Sequence, residues 1–201
     1  MDRLDTTQYQ IVDFAYFSAD DRASMMFAHE LSWSRVYEYP YVLDRLRPHH
    51  RVIHNACWGF LNIHVVFKTH LDARSDDCWH TDLRPSTLHN TSLWDIREAP
   101  PQDWVGFFDA VINVSTLEEV AFDHRQLILH HLVQLAPGGR FICTFDVPGL
   151  QLAAVEAWLG RDIEHPTNQL TPRNSVLPDQ VLHLPPTYTV GHLTIDRIGA
   201  T

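Results

Sequence analysis

The pattern of apolar and polar positions changes character at about residue 50. Before it, residues 1–17 mix aromatic and polar positions without a clear period. Ser18, followed by Ala19, Asp20 and Asp21, has the form of a helix start, a capping hydroxyl with acids in the first turn, and predicts a helix to about Leu31. Pro40 as a first-turn residue, with Val42, Leu43 and Leu46 on one side, predicts a second short helix that stops near Pro48. From Arg51 the chain alternates. Short β-like runs begin at Arg51, Cys78, Thr91, Phe107 and Phe141, and the last is nearly all apolar, as a buried parallel strand should be. Phe60, Ile63, Phe67 and Leu71 recur at helical spacing after the first run. Asp123, with Gln126 three residues on, resembles a capping box for a helix whose stripe is Ile128, Leu132 and Leu135. Pro137, Gly138 and Gly139 read as its cap and turn, and a last helix runs from Leu150 to Leu159, ending at Gly160. Beyond a Pro-rich stretch, Thr187–Val190, a turn at Gly191-His192, and Leu193–Ile198 read as a hairpin.

Strands that alternate with helices imply a mostly parallel sheet covered on both faces, and a terminal hairpin adds antiparallel strands at its edge. At 201 residues the chain fits one domain with small additions. The expected organisation is an N-terminal helical extension over 1–50 packed on an α/β domain over 51–201. Apolar residues make up 45% and charged residues 20%, an ordinary globular balance. Apolar runs fall far short of the ~20 residues of a membrane span, and the N-terminus lacks the apolar core of a signal peptide. Both features predict a cytoplasmic protein without a membrane partner. The net charge of −10 argues against a nucleic-acid partner, whose phosphates call for a basic footprint. The scattered Cys57, Cys78 and Cys143 read as reduced and mostly buried. Fourteen histidines include the adjacent pairs His49-His50 and His130-His131 but no HExxH, and there is no CxxC. They read as surface and core residues, with no metal expected.

Four pieces between 51 and 147 carry a family likeness. They are Val52-Ile-His-Asn-Ala-Cys-Trp-Gly59; Asp82 in His-Thr-Asp-Leu-Arg-Pro; Asp95-Ile96 in Leu-Trp-Asp-Ile-Arg; and Phe108–Glu119 followed by Leu135-Ala-Pro-Gly-Gly-Arg-Phe-Ile. In order and texture they resemble the class I S-adenosylmethionine (SAM) methyltransferases. That resemblance implies a Rossmann-like three-layer α/β/α fold with the cofactor beyond the carboxyl ends of the strands at the switch point. It implies that His54, Asn55, Ala56, Trp58 and Gly59 form the first cofactor loop. It places Asp82 on the ribose hydroxyls, Asp95 and Ile96 beside the adenine, and Asn113 and Ser115 near the transferred methyl. His54, Glu118 and Glu119 are the acid–base candidates. Trp33, Arg35 and Tyr37, upstream of the domain, form either a substrate lid or part of a packed N-terminal helix.

The chain departs from the family pattern in the first loop. His54 stands where the family has an acid, and Ala56 and Trp58 stand at glycine positions, leaving Gly59. Two readings follow: a SAM-dependent methyltransferase acting on a small-molecule or glycan-type acceptor, or a relative that has lost SAM and serves as a binding or assembly partner. A nicotinamide-binding Rossmann enzyme is disfavoured, since no GxGxxG follows the first strand of 51–56. The sequence does not give the oligomeric state.

Overall fold

The β-like runs of the sequence pair into one seven-stranded sheet. The computed structural model describes residues 3–18, 20–24, 34–56, 65–83, 91–147, 149–165, 170 and 189–199. In chain order the elements are β1 (Tyr9–Tyr16), α1 (Arg35–Arg45), β2 (Val52–Ala56), α2 (Val65–Asp72), β3 (Asp77–Asp82), β4 (Thr91–Leu93), β5 (Phe108–Val114), α3 (His124–Leu132), β6 (Leu135–Val147), α4 (Leu152–Leu159) and β7 (Thr189–Arg197). The sheet order is β1-β7-β6-β5-β2-β3-β4. Strands β6, β5, β2, β3 and β4 are parallel, and β7 runs antiparallel to both β6 and β1. The mostly parallel α/β architecture with an antiparallel pair at its edge is the one the sequence implies.

Alternation along the strands sorts the core into two layers. One gathers Val111, Phe141, Cys143 and Phe145 with Leu127, Ile128 and Leu132 of α3 and Val155 and Trp158 of α4. The other gathers Ile53, Ala110, Ile112 and Ile142 with Val36, Tyr39 and Val42 of α1 and Phe67 and Leu71 of α2. Tyr39 stacks on Phe67 with ring centroids 4.0 Å apart, joining α1 to α2. The helices therefore cover both faces of the sheet. No helix among the described residues is long and apolar enough to cross a membrane.

Four local expectations are corrected. Residues 9–16, expected within a helical extension, are a strand; a register shift between Ile11 and Asp13 breaks the period-2 pattern that would have shown it. Gly191-His192 is not a turn: both residues lie within β7, paired with Phe145 and Thr144 of β6, so the antiparallel pair joins the two ends of the chain. A Cβ at Gly191 would sit 2.4 Å from the Phe145 ring, which explains a glycine in mid-strand. Gly138 and Gly139 do not cap α3, which ends at Leu132 with Val133 as its cap; they form an irregularity inside β6. A Cβ at Gly139 would come within 3.1 Å of three backbone carbonyls, those of Ala136, Phe108 and Asp109. Finally, Pro40 lies inside α1, which starts at Arg35. Proline removes the N–H that would bond the carbonyl of Val36. That carbonyl instead accepts from the Ser24 N–H at 2.8 Å.

The Ser18 start is a local turn in which the Ser18 N–H donates to Asp21 Oδ2 at 2.5 Å; the rest of the expected helix, 25–31, lies outside the described residues. Asp123 caps α3 by accepting from the Arg125 N–H at 3.0 Å, while Gln126 bonds His130 at 2.9 Å instead of closing a capping box. Cys78 and Cys143 are both buried.

Candidate functional site

The parallel strands run outward from β2 in two directions, through β5 to β6 and through β3 to β4. At this switch point the connections from neighbouring strands diverge and leave a crevice at the carboxyl ends. A cleft of about 180 Å³ opens there, lined by Ala56, which ends β2, by Thr81, Asp82 and Leu83 at the end of β3, by Trp94 and Ile96 after β4, and by Thr116, Glu119 and Val120 after β5.

Its chemistry is mixed. Ala56 gives a small floor where β2 stops. Leu83, Ile96 and Val120 give apolar walls. Asp82 contributes a carboxylate at the rim, and its carbonyl holds the Trp94 N–H at 3.1 Å, fixing the strand end against the Trp94 backbone. The Trp94 indole Nε1–H is buried and has no hydrogen-bond partner among the described residues. A buried donor left unpaired costs about 1–3 kcal/mol; the Trp94 ring packs on His54, Trp104 and His131. These residues offer a carboxylate to hydrogen-bond donors at Asp82 and a largely apolar wall at Ile96 and Trp94.

Of the sequence-selected positions, Ala56, Asp82, Ile96 and Glu119 come together around this cleft. Trp58, Gly59 and Trp33 lie outside the described residues. His54 does not line the cleft. Its ring is wholly buried, with Nδ1 2.6 Å from Gln134 Oε1 and Nε2 2.8 Å from Thr81 Oγ1. Trp94, Trp104 and Phe108 surround it. Burial, with the nearby His131 and His80, pushes its pKa down to about 3, so it stays neutral with both nitrogens engaged. That corrects the expectation of a base or cofactor ligand at this position. Asn55 faces the other way and bonds His80 at 3.0 Å. Asn113 ties β5 to β2, donating to the Ala56 carbonyl at 2.8 Å.

Asp95 is occupied by its neighbour: it accepts from the Arg97 backbone at 3.0 Å and from the Arg97 guanidinium, which holds its carboxyl below the ordinary range. It borders a neighbouring surface hollow with Leu83, Leu93 and Pro101, not the cleft. Ser115 adopts φ +41°, in the left-handed region, and its hydroxyl donates to Glu38 Oε1 at 2.5 Å. Glu38 is fully buried, also accepts from Thr144 Oγ1 at 2.6 Å, and pairs with Arg35. Burial opposes its charge, but Arg35 and the hydroxyls of Ser115, Thr144 and Ser34 prevail and keep its pKa below the usual carboxylate value. Arg35 and buried Tyr37 are thus packed parts of α1, as the second of the two sequence readings has it. Glu118 turns away from the cleft: its Oε1 accepts from the Asp146 N–H at 2.6 Å.

Sequence reasoning missed Thr81, Leu83, Trp94, Thr116 and Val120 as lining residues. Trp94 had a signal, since it immediately precedes Asp95 in the quoted motif; one residue decides which of the two faces the cleft.

With the strand order and the cleft in place, the fold can be compared with solved structures. A SAM-dependent methyltransferase from Mesorhizobium loti superposes with a TM-score of 0.53 at 15% identity, over 83% of this chain and 100% of that one. This chain has the class I methyltransferase fold. A geranyl diphosphate methyltransferase solved with SAM matches at TM-score 0.53 and 12% identity, covering 95% of this chain and 98% of that one. The [4+2]-cyclase SpnF matches at TM-score 0.54 and 12% identity, covering 94% and 88%. No protein-family model and no curated sequence matches the chain. The methyltransferase fold therefore rests on structure, and the cyclase on the same fold shows that the fold alone does not choose the reaction.

Proposed function

We propose that this chain binds SAM in the cleft between β2, β3 and β5 and passes its methyl group to a small-molecule or glycan-type acceptor. The observation that carries the reading is the cleft wall: a small residue at the end of β2, a carboxylate at the end of β3 and the Trp94 and Ile96 side chains after β4. Bound SAM supplies an activated sulfonium methyl group. The chain's own part is to hold and orient. Asp82 would accept from the ribose hydroxyls, and Ile96 and Trp94 would flank the adenine. Thr116 and Glu119, on the β5 side, would line the approach of the acceptor. A methyl transfer of this kind is governed by alignment and exclusion of water more than by a fixed acid–base pair. Glu119, exposed at the cleft, is the residue placed to take a proton if the acceptor must lose one.

A second reading, a non-catalytic binding or assembly partner, is favoured by one observation: His54, at the position where the family has an acid, is locked in the core. Titration calorimetry and thermal shift with S-adenosylhomocysteine separate the two. Ligand that binds only the native state raises the melting temperature. If the first reading holds, the shift appears, and Asp82→Ala weakens binding by about 1–3 kcal/mol, the cost of losing a polar acceptor. No heat and no shift at millimolar ligand would remove it in favour of the second. Binding that Asp82→Ala leaves unchanged would remove the ribose assignment.

A further inference from the structure

Three side chains on the opposite face of β3 from the aromatic core come together away from the cleft. Cys78 and His80 are two apart in a strand, so both point to one face. Asp72 is the last residue of α2 and lies over that face. One ligand atom from each of Asp72, Cys78 and His80 lies within 4.8 Å of the other two. His80 Nε2 is 3.0 Å from Asp72 Oδ1. In a tetrahedral site, Zn–S of about 2.3 Å and Zn–N or Zn–O of about 2.0–2.1 Å put ligand atoms roughly 3.3–3.6 Å apart. Rotations of these side chains alone are of the size needed to reach that spacing.

The surroundings are those of a ligand site. Cys78 and His80 are buried at 3% exposure each, while the Asp72 side chain is 56% exposed. The site is walled by the sheet and open to solvent at one corner, which leaves an entry path and a position for water. Asn55, wholly buried, has Nδ2 3.0 Å from His80 Nδ1, and its Oδ1 is buried with no partner among the described residues. In the metal-free arrangement Nδ1 accepts from Asn55 and Nε2–H donates to Asp72. Turning the Asn55 amide over brings its idle oxygen to Nδ1–H and frees the Nε2 lone pair. A metal-bound histidine is held in this way, with its second nitrogen donating to an oxygen of the protein. The Lys68 ammonium, whose charge acts on His80, opposes a second cation; the thiolate and the carboxylate together outweigh it.

We propose that Asp72, Cys78 and His80 bind one transition-metal ion, zinc by the chemistry of the donor set. Thiolate with imidazole selects zinc over the hard cations magnesium and calcium, and a three-residue set leaves one coordination position for solvent. The ion pins the end of α2 to the middle of β3, and it replaces the sequence-based expectation of no metal. The spacing Cys-x-His within a strand is the signal that a search for HExxH and CxxC passes over.

The test uses reduced, tag-free full-length protein stripped of metal. Zinc alone is titrated against a chromophoric chelator, and cobalt(II) is added as an optical probe. The expected result is one equivalent of zinc, a rise in melting temperature, and a cobalt spectrum with tetrahedral intensity and a thiolate charge-transfer band. Cys78→Ser removes the band and Cys57→Ser keeps it. Asp72→Asn, at an exposed position that leaves the fold intact, weakens zinc at least tenfold while the far-UV spectrum and melting temperature of the metal-free protein stay unchanged. Failure to take up one equivalent, a cobalt spectrum without the thiolate band, loss of the band in Cys57→Ser, or unchanged affinity in Asp72→Asn overturns the proposal. Should Cys78→Ser fail to fold, the Asp72→Asn and Cys57→Ser results still decide it.

Discussion

Glu118 gives the sharpest handle on the energetics of the strand ends. Its Oε1 accepts the Asp146 N–H at 2.6 Å, while Oε2 is buried and has no partner among the described residues. Burial, reinforced by the carboxylates of Asp146 and Glu38 and opposed by the backbone bond from Asp146, pushes its pKa from 4.5 up to about 8. The sign follows from proton linkage. Below pH 4.5 the carboxyl is protonated in both folded and unfolded chains and does not tilt the balance. Between pH 4.5 and 8 the unfolded chain ionises while the folded one holds its proton. The native state then loses about 1.4 kcal/mol of stability per pH unit, which reaches about 3 kcal/mol at pH 7 and levels off at about 5 kcal/mol above pH 8.

Glu118→Gln keeps the volume and the oxygen that accepts from Asp146, and it does not titrate. Urea denaturation of both proteins at pH 5, 6, 7 and 8 measures the difference. The variant should gain less than about 1 kcal/mol on the native protein at pH 5 and about 3 kcal/mol at pH 7, on top of any constant offset from the amide. A difference that stays flat across this range, or that shrinks as pH rises, would show that Glu118 is ionised in the folded protein and refute the account of its environment.

Two other perturbations follow from the same structure. Burial lowers the pKa of His54 to about 3 and those of His50, His131 and His192 to about 4, so all four are neutral when folded and take up protons on unfolding below pH 6.5. The histidines' contribution is therefore full above pH 6.5 and falls by roughly 5 kcal/mol per pH unit below it for the four together, more than the about 1.4 kcal/mol per unit that Glu118 returns, so circular dichroism should show cooperative acid unfolding before pH 4; a native spectrum at pH 4 contradicts the burial of these rings. Gly191→Ala puts a methyl 2.4 Å from a Phe145 ring that is only 1% exposed and should cost about 1–3 kcal/mol by overpacking, read as a lower urea midpoint; an unchanged midpoint would mean that the ring moves freely.

The central strands were legible because their signal is local. Runs such as Phe108–Val114 are mostly apolar and buried along their length, and each strand of the parallel half shows as a run between turns. The N-terminal strand was not legible for a physical reason. Its bulge between Ile11 and Asp13 shifts the alternation by one, so Val12 is 43% exposed while Phe14 is fully buried, and no single period fits the segment. Pro40 misled because the carbonyl it orphans is satisfied by Ser24, a partner outside the helix. Gly191 looked like a turn because glycine usually marks one; here it makes room for a ring from the neighbouring strand.

The candidate site shows a finer limit. Position in the topology can be read from sequence, but the direction of each side chain depends on strand parity and on partners far along the chain. His54 stands two residues before the end of β2, where the resemblance places a cofactor contact, yet its nitrogens are claimed by Thr81 and by Gln134, 80 residues later. Ser115 stands at the end of β5, yet it is drawn to Glu38, 77 residues earlier, and holds a left-handed backbone there. Asn113 bonds the last carbonyl of β2. Asn113 holds the Ala56 carbonyl, His54 bonds Thr81, and Ser115 immediately precedes Thr116, so all three support residues that line the cleft. The division is consistent with a pocket built on rigid elements, in which buried polar side chains set the frame and a different set touches the ligand. It explains why the residues nearest to the family's positions in sequence, His54 and Ser115, do not line the cleft, while Trp94 and Asp82 do.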